Sequence, residues 1–180
     1  MIIEDIKNFF RRRSLRKLGK PQHTGIIPLS DVHNAVAFID AEDTQYDECK
    51  ASLMSFFREN KIKGDIYFMD LRPIKSKTRL ITSINTTILK KDLNWYGRPS
   101  KEKINLLLGT APDLFISLFS DNSYTMEYLA KCSNARFKVG RVQLPGDTFD
   151  LIVQDHADKP LSQKESFEAM KPYLKLIQKG

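Results

Sequence analysis

Two kinds of hydrophobic pattern alternate along this chain. Short unbroken apolar runs stand at Ala35-Val-Ala-Phe-Ile-Asp40, Asp65-Ile-Tyr-Phe-Met-Asp70 and Asp113-Leu-Phe-Ile-Ser-Leu-Phe119. Runs of this length without alternation suit strands covered on both faces, as in a parallel sheet. Between them apolar residues recur at helical spacing: Tyr46, Cys49, Leu53, Phe56 and Phe57, then Met126, Leu129, Ala130 and Ser133, then Phe167, Met170, Leu174 and Ile177. Each set falls on one face of a 3.6-residue repeat.

Polar residues punctuate these elements. Asp43 and Thr44 are suited to cap the first helix, and Gly64 closes that unit. Ile84 to Leu89 reads as a third strand, and Asp92 to Pro99 as a loop in which Trp95 either pins the chain to the core or presents a stacking surface with Tyr96 and Arg98. Ser100 caps a short helix through Leu108, with Gly109 as its stop. Ser120-Asp121-Asn122-Ser123 turns into the central helix, and Asn134 ends it before the strand Phe137-Lys-Val139. Phe149 to Val153 is the last strand, Ser162-x-x-Glu165 is a capping box, and Pro172 is expected to kink the terminal helix. Residues 72–83 are basic and polar and fit no element. Strands alternating with helices predict an α/β, three-layer, Rossmann-like domain, with a mainly parallel sheet of five to six strands and helices on both faces. Residues 35–180 form that single domain.

Ahead of it, residues 1–20 read as a helix and residues 21–34 as a solvated linker. Ile2, Ile3, Ile6, Phe9 and Phe10 share one face, which is expected to pack on something; Phe9 and Phe10 suit either a lipid interface or the protein's own core. Arg13 and Lys17 then rotate onto that face, so the second half should pack differently.

Charge singles out the same segment. Of the 29 Lys and Arg, seven lie in residues 1–20, against only two of the 22 acids, Glu4 and Asp5, so most of the net +7 sits in the head. Arg11, Arg12, Arg13, Arg16 and Lys17 could neutralise phosphates of RNA or of an anionic membrane surface; the plainer role is a solubilising helix. No apolar run approaches a membrane span, and the apolar-before-basic order is the reverse of a signal peptide. Cys49 and Cys132, far apart and on apolar helix faces, read as free thiols of a cytoplasmic protein. The oligomeric state is not set by the sequence.

An open parallel sheet binds ligands beyond the carboxyl ends of its strands. Those ends carry Asp40, Asp70, Ser117 or Ser120, Asp121 and Asp155. Asp70, Ser120, Asp121 and Trp95 are the candidate pocket residues. Asp40-Ala-Glu-Asp-Thr44 lacks the glycines of a dinucleotide loop, and its carboxylates would repel a phosphate. His23, His33 and His156 share no spacing with a nucleophile, and no cofactor is implied.

Three resemblances accompany this reading. Phe38-Ile39-Asp40-Ala41-Glu42-Asp43-Thr44 resembles the first motif of haloacid-dehalogenase-like phosphohydrolases, with Glu42 where that motif has its second Asp. It implies a Mg²⁺-dependent alternative with Asp40 as nucleophile and Asp155 as a metal ligand; the other roles open to these acids are a helix cap for Asp40 and Asp43 and a turn cap for Asp155. Asp113-Leu-Phe-Ile-Ser-Leu with Tyr128 to Gly140 is similar to part of the first domain of heptosyltransferases. The basic head, Lys90-Lys-Asp-Leu-Asn-Trp-Tyr-Gly-Arg-Pro99 and the Asp113 to Gly140 unit together resemble a family of short bacterial proteins, a domain of unknown function. That resemblance implies no activity. The function expected from the residues is non-catalytic binding or adaptor work through the basic head.

Overall fold

Strand β1 (Asn34–Asp40) lies near the middle of a six-stranded sheet in the computed structural model, which describes residues 2–18, 24–73, 82–156 and 158–177. The other strands are β2 (Lys63–Asp70), β3 (Thr87–Leu89), β4 (Leu114–Ser117), β5 (Phe137–Gly140) and β6 (Leu151–Ile152). The sheet order is β3-β2-β1-β4-β5-β6, and every neighbouring pair is parallel. Among the described residues five α-helices accompany it: α1 (Ile2–Arg16), α2 (Tyr46–Glu59), α3 (Lys101–Leu108), α4 (Tyr124–Cys132) and α5 (Gln163–Leu176).

The two-residue period of the strands divides the core. In β1, Ala37 and Ile39 join Leu53 and Phe56 of α2 and Phe167, Met170 and Leu174 of α5 on one face. Val36 and Phe38 join Leu107 of α3 and Met126, Leu129 and Ala130 of α4 on the other. Each fully buried Leu, Ile or Phe contributes about 1.5–3 kcal/mol over exposure, against about 0.5–1.5 kcal/mol net for one hydrogen bond. The two clusters, more than the short strand ladders, therefore hold the three layers together. Both cysteines are free; burial pushes Cys49 up to about 12 and Cys132 up to about 11.

Several local expectations change in the structure. Residues 24–33 are tethered to the domain while Gly25, Ile26, Ser30 and His33 stay exposed: Gly25 N–H donates to the Arg136 carbonyl at 2.9 Å, and His33 N–H donates to Asp113 at 2.8 Å. Helix α2 begins at Tyr46 behind Gln45, so Thr44 is not its cap, and Asp43 instead accepts from Gln45 N–H at 2.8 Å. Ile84–Thr86 is a 3₁₀ turn, and only Thr87–Leu89 pairs with β2. The last strand is confined to Leu151–Ile152, and Phe149 ahead of it lays its ring over Gly140. Helix α4 stops at Cys132, short of Asn134, and α5 runs through Pro172 to Leu176, held on both sides by Phe167, Met170 and Leu174. The Ser162–Glu165 capping box forms. Gly19, Lys20, Pro21, His23 and most of the unassigned basic stretch after Arg72 lie outside the described residues. Among the described residues no helix is long and apolar enough to cross a membrane.

Candidate functional site

The chain reverses its direction of winding between β1 and β4, which pair from Ala35–Leu114 to Phe38–Ser117. Beyond their carboxyl ends lies a crevice of about 270 Å³. Asp40, Asp121, Ser120, Gln163 and Arg141 are among its lining residues. The position is the one expected for ligands of an open parallel sheet.

Asp40 ends β1, and its backbone is held by the Gln163 side chain. Gln163 accepts from Asp40 N–H at 2.7 Å and donates to the Asp40 carbonyl at 2.9 Å, so an amide group stands in for a further strand. The Asp40 carboxylate accepts from Glu42 N–H at 2.8 Å. Burial pushes its pKa up, and the neighbouring charges of Glu42, Asp121 and Asp43 push the same way. A rim of this sign disfavours a phosphate at Asp40.

Asp70 and Asp155, also predicted for the rim, do not line the crevice. Asp70 is clamped by Arg72, whose Nε and Nη2 donate to its two oxygens at 2.8 and 2.6 Å. Arg72 holds the Asp70 carboxyl below its ordinary range. Asp155 accepts from Arg141, from Leu161 N–H at 3.1 Å and from the Ser166 hydroxyl at 2.9 Å. Burial pushes Asp155 up, but these donors outweigh it and hold the group low. With both oxygens engaged this way, Asp155 does not fit as a Mg²⁺ ligand beside Asp40. Among the described residues no three His, Cys, Asp or Glu side chains are grouped to hold a metal ion. Arg141 and Gln163, which shape the crevice, follow Gly140 and Ser162 with no motif around them to mark their roles.

A second feature lies on the α3–α4 side. Helix α1 rests on the domain through polar groups. Arg11 Nε donates to the Tyr96 carbonyl at 2.9 Å, its Nη1 donates to Glu4 at 2.8 Å, and its guanidinium lies 5.4 Å from the Tyr124 ring centre. The Ser14 and Tyr124 hydroxyls are 2.6 Å apart. Burial pushes the Tyr124 phenol up to about 12. Arg11 is thus turned inward.

Of the apolar stripe of α1, Phe10 packs on the domain, stacked 5.9 Å from the Tyr96 ring, while the other four residues point away from it. Ile2 is 74% exposed, Ile3 71% and Phe9 59%, with Ile6 exposed beside them. The reason is the pocket that receives the helix: Tyr96, Tyr124 and the Gly97 loop offer carbonyl and hydroxyl partners that suit Arg11 and Ser14. Trp95 is not the loop's anchor. Tyr96 is buried, while Trp95 is 56% exposed and meets Phe10 edge-on at 5.2 Å, which extends the apolar stripe onto the domain. Arg12, Arg13, Arg16 and Lys17 are exposed, and none makes an ion pair among the described residues. On a 3.6-residue repeat Arg13 and Lys17 continue the outward face of Ile2, Ile6 and Phe9. The outward face therefore has an aliphatic and aromatic half followed by a cationic half.

A family model described as a family of unknown function (DUF6913) matches residues 7–177. No curated protein and no solved structure matches the chain. The similarity of Asp113–Gly140 to a heptosyltransferase domain gains no support from these comparisons; that segment forms the β4–α4–β5 crossover.

Proposed function

The chain belongs to this family of unknown function, so its role is read from its own geometry, and we propose that it is a non-catalytic protein that docks on an anionic membrane surface through α1. One observation carries this reading: α1 packs on the domain by Arg11 and Ser14 and turns Ile2, Ile3, Ile6 and Phe9 outward. A contiguous exposed apolar face marks an interaction site. The occupant is chosen by the charges around it. Arg12, Arg13 and Lys17 flank the face, and each basic residue near an anionic leaflet is worth about 1 kcal/mol. An interfacial helix buries its apolar side about 5–10 Å deep and keeps its cations at the headgroups. RNA would use the cations but leave three isoleucines without a role. Trp95 adds an amphipathic ring of the kind favoured at a membrane–water interface.

Vesicle co-sedimentation tests this. Binding is expected to vesicles containing phosphatidylglycerol, to be weak on phosphatidylcholine alone, and to fall with added salt. Ile3→Ser with Phe9→Ser should abolish it, and Arg13→Glu with Lys17→Glu should weaken it strongly. Equal binding by these variants would overturn the reading. So would salt-sensitive capture of RNA without vesicle binding, or a dimer in sedimentation analysis that Ile3→Ser with Phe9→Ser dissolves. The phosphohydrolase alternative has less support, since Asp155 is engaged by Arg141.

A further inference from the structure

Lys138 of β5 is 3% exposed. Its side chain enters the layer beneath α4, where Nζ donates to the Ala130 carbonyl at 2.7 Å in the last turn of that helix. This bond uses one of three N–H donors. No carboxylate lies within 4.0 Å of Nζ among the described residues. The Asp150 carboxylate favours the charged lysine from farther away, but it is bound to Lys138 N–H at 2.8 Å and to the Thr24 hydroxyl at 2.6 Å. Burial lowers the pKa of Lys138, as it does for any ammonium with too few partners.

Lys138 lines a pocket of about 290 Å³ together with Lys131, Arg16, Leu15 and Leu18. Lys131 is shared with Glu127, which it meets at 2.5 Å, whereas Arg16 carries no ion pair among the described residues. Asp147 is the acid on the lining. Three cations against one acid, beside two leucines, suit a doubly charged anion that bears an apolar group.

We propose that this pocket binds a phosphomonoester with a short apolar substituent. The phosphate accepts from Lys138, Lys131 and Arg16, and Leu15 and Leu18 receive the apolar part. The site does not depend on α1 docking at a membrane. The phosphate comes either from a free metabolite or from a lipid headgroup.

Titration calorimetry with hexyl phosphate, and with hexanol as the uncharged control, tests the proposal. The unmodified protein and the Ile3→Ser, Phe9→Ser variant are expected to bind hexyl phosphate equally, which separates this site from the outer face of α1. Hexanol should not bind. Lys138→Met should weaken hexyl phosphate by about tenfold or more, the worth of a charge-assisted hydrogen bond. Its thermal midpoint is read in parallel; if it does not fold, Arg16→Met with Lys131→Met makes the same test at other positions on the lining. No binding of hexyl phosphate, equal binding of hexanol, or an affinity untouched by these substitutions would overturn the site. Displacement of bound hexyl phosphate by phosphatidic acid vesicles supports the site with a headgroup as the source. Binding without such displacement supports it with a free phosphate.

Discussion

Arg141 and Asp155 are joined by more than one hydrogen bond: both Nε and Nη2 of the guanidinium donate to the same carboxylate. Arg141 also donates to the Leu118 carbonyl, beyond β4, and to the Leu161 carbonyl, before α5. One ion pair thus gathers the ends of β4 and β5 and the start of α5 behind the crevice. Its role is architectural, and it explains why Asp155 stands apart from Asp40.

Replacing Asp155 by Ala is therefore expected to destabilise the fold by about 3 kcal/mol or more, since it leaves a buried guanidinium without its counterion. Urea unfolding measures this. An unchanged unfolding midpoint would show that the pair does not hold the rim.

The carboxylates separate into two groups on acidification. Asp155, Asp113 and Asp70 have pKa values below their ordinary 3.8, so their stabilisation is present above that value and is lost as pH falls through the folded values. Asp40 is raised, so its protonated form is favoured by folding, and that gain is lost as pH rises through its folded value. Asp40→Asn keeps the acceptor for Glu42 N–H and removes the charge. It should raise the thermal midpoint at neutral pH and leave it unchanged well below 3.8. A lower midpoint at neutral pH would contradict the crowding of negative charge at the rim.

Gly140 and Phe149 are coupled by close approach. A Cβ built on Gly140 would stand 2.3 Å from the Phe149 ring, with no comparable obstacle at Gly25. Gly140→Ala should cost about 1–3 kcal/mol by overpacking, while Gly25→Ala should be nearly neutral. Phe149→Leu is expected to recover part of the loss in the double variant, read as a coupling energy from urea unfolding.

Helix α1 should open without the rest of the domain. It is tied to the body by the hydrogen bonds of Arg11 to the Tyr96 carbonyl and of Ser14 to the Tyr124 hydroxyl, and by the contacts of Phe10 with the Trp95 and Tyr96 rings. Arg11→Ala with Ser14→Ala should speed amide hydrogen exchange across Ile2–Arg16 and leave exchange in β1 and β4 unchanged. Loss of protection in the central strands would mean that α1 is part of the cooperative core.

Much of this architecture is legible from local pattern. Val36 to Ile39, Leu53 with Phe56, and Phe167 with Met170 declare their elements because burial imposes a period on each. The same period puts Asp40 at a strand end and Asp121 in the turn beyond β4. What the sequence hides are partnerships across space. Asp155 pairs with a residue fourteen positions earlier, just beyond the end of β5, and nothing around Arg141 announces this. Asp70 is taken by Arg72, an adjacent cation whose reach depends on how the chain turns. In α1, periodicity gives a stripe but not the side that meets the domain. Tyr96 and Tyr124, distant in sequence, decide that by attracting Arg11 and Ser14.

The strand order also governs how the polypeptide emerges during synthesis. β1 can pair with β2 soon after both leave the ribosome, because only α2 separates them. Its opposite edge stays bare until Leu114 and the rest of β4 arrive. A nascent or truncated chain ending before that point exposes unpaired backbone along an apolar strand, the kind of edge that recruits other chains into aggregates. Protein fragments cut within residues 71–113 should therefore be insoluble, even though they contain a complete β–α–β unit.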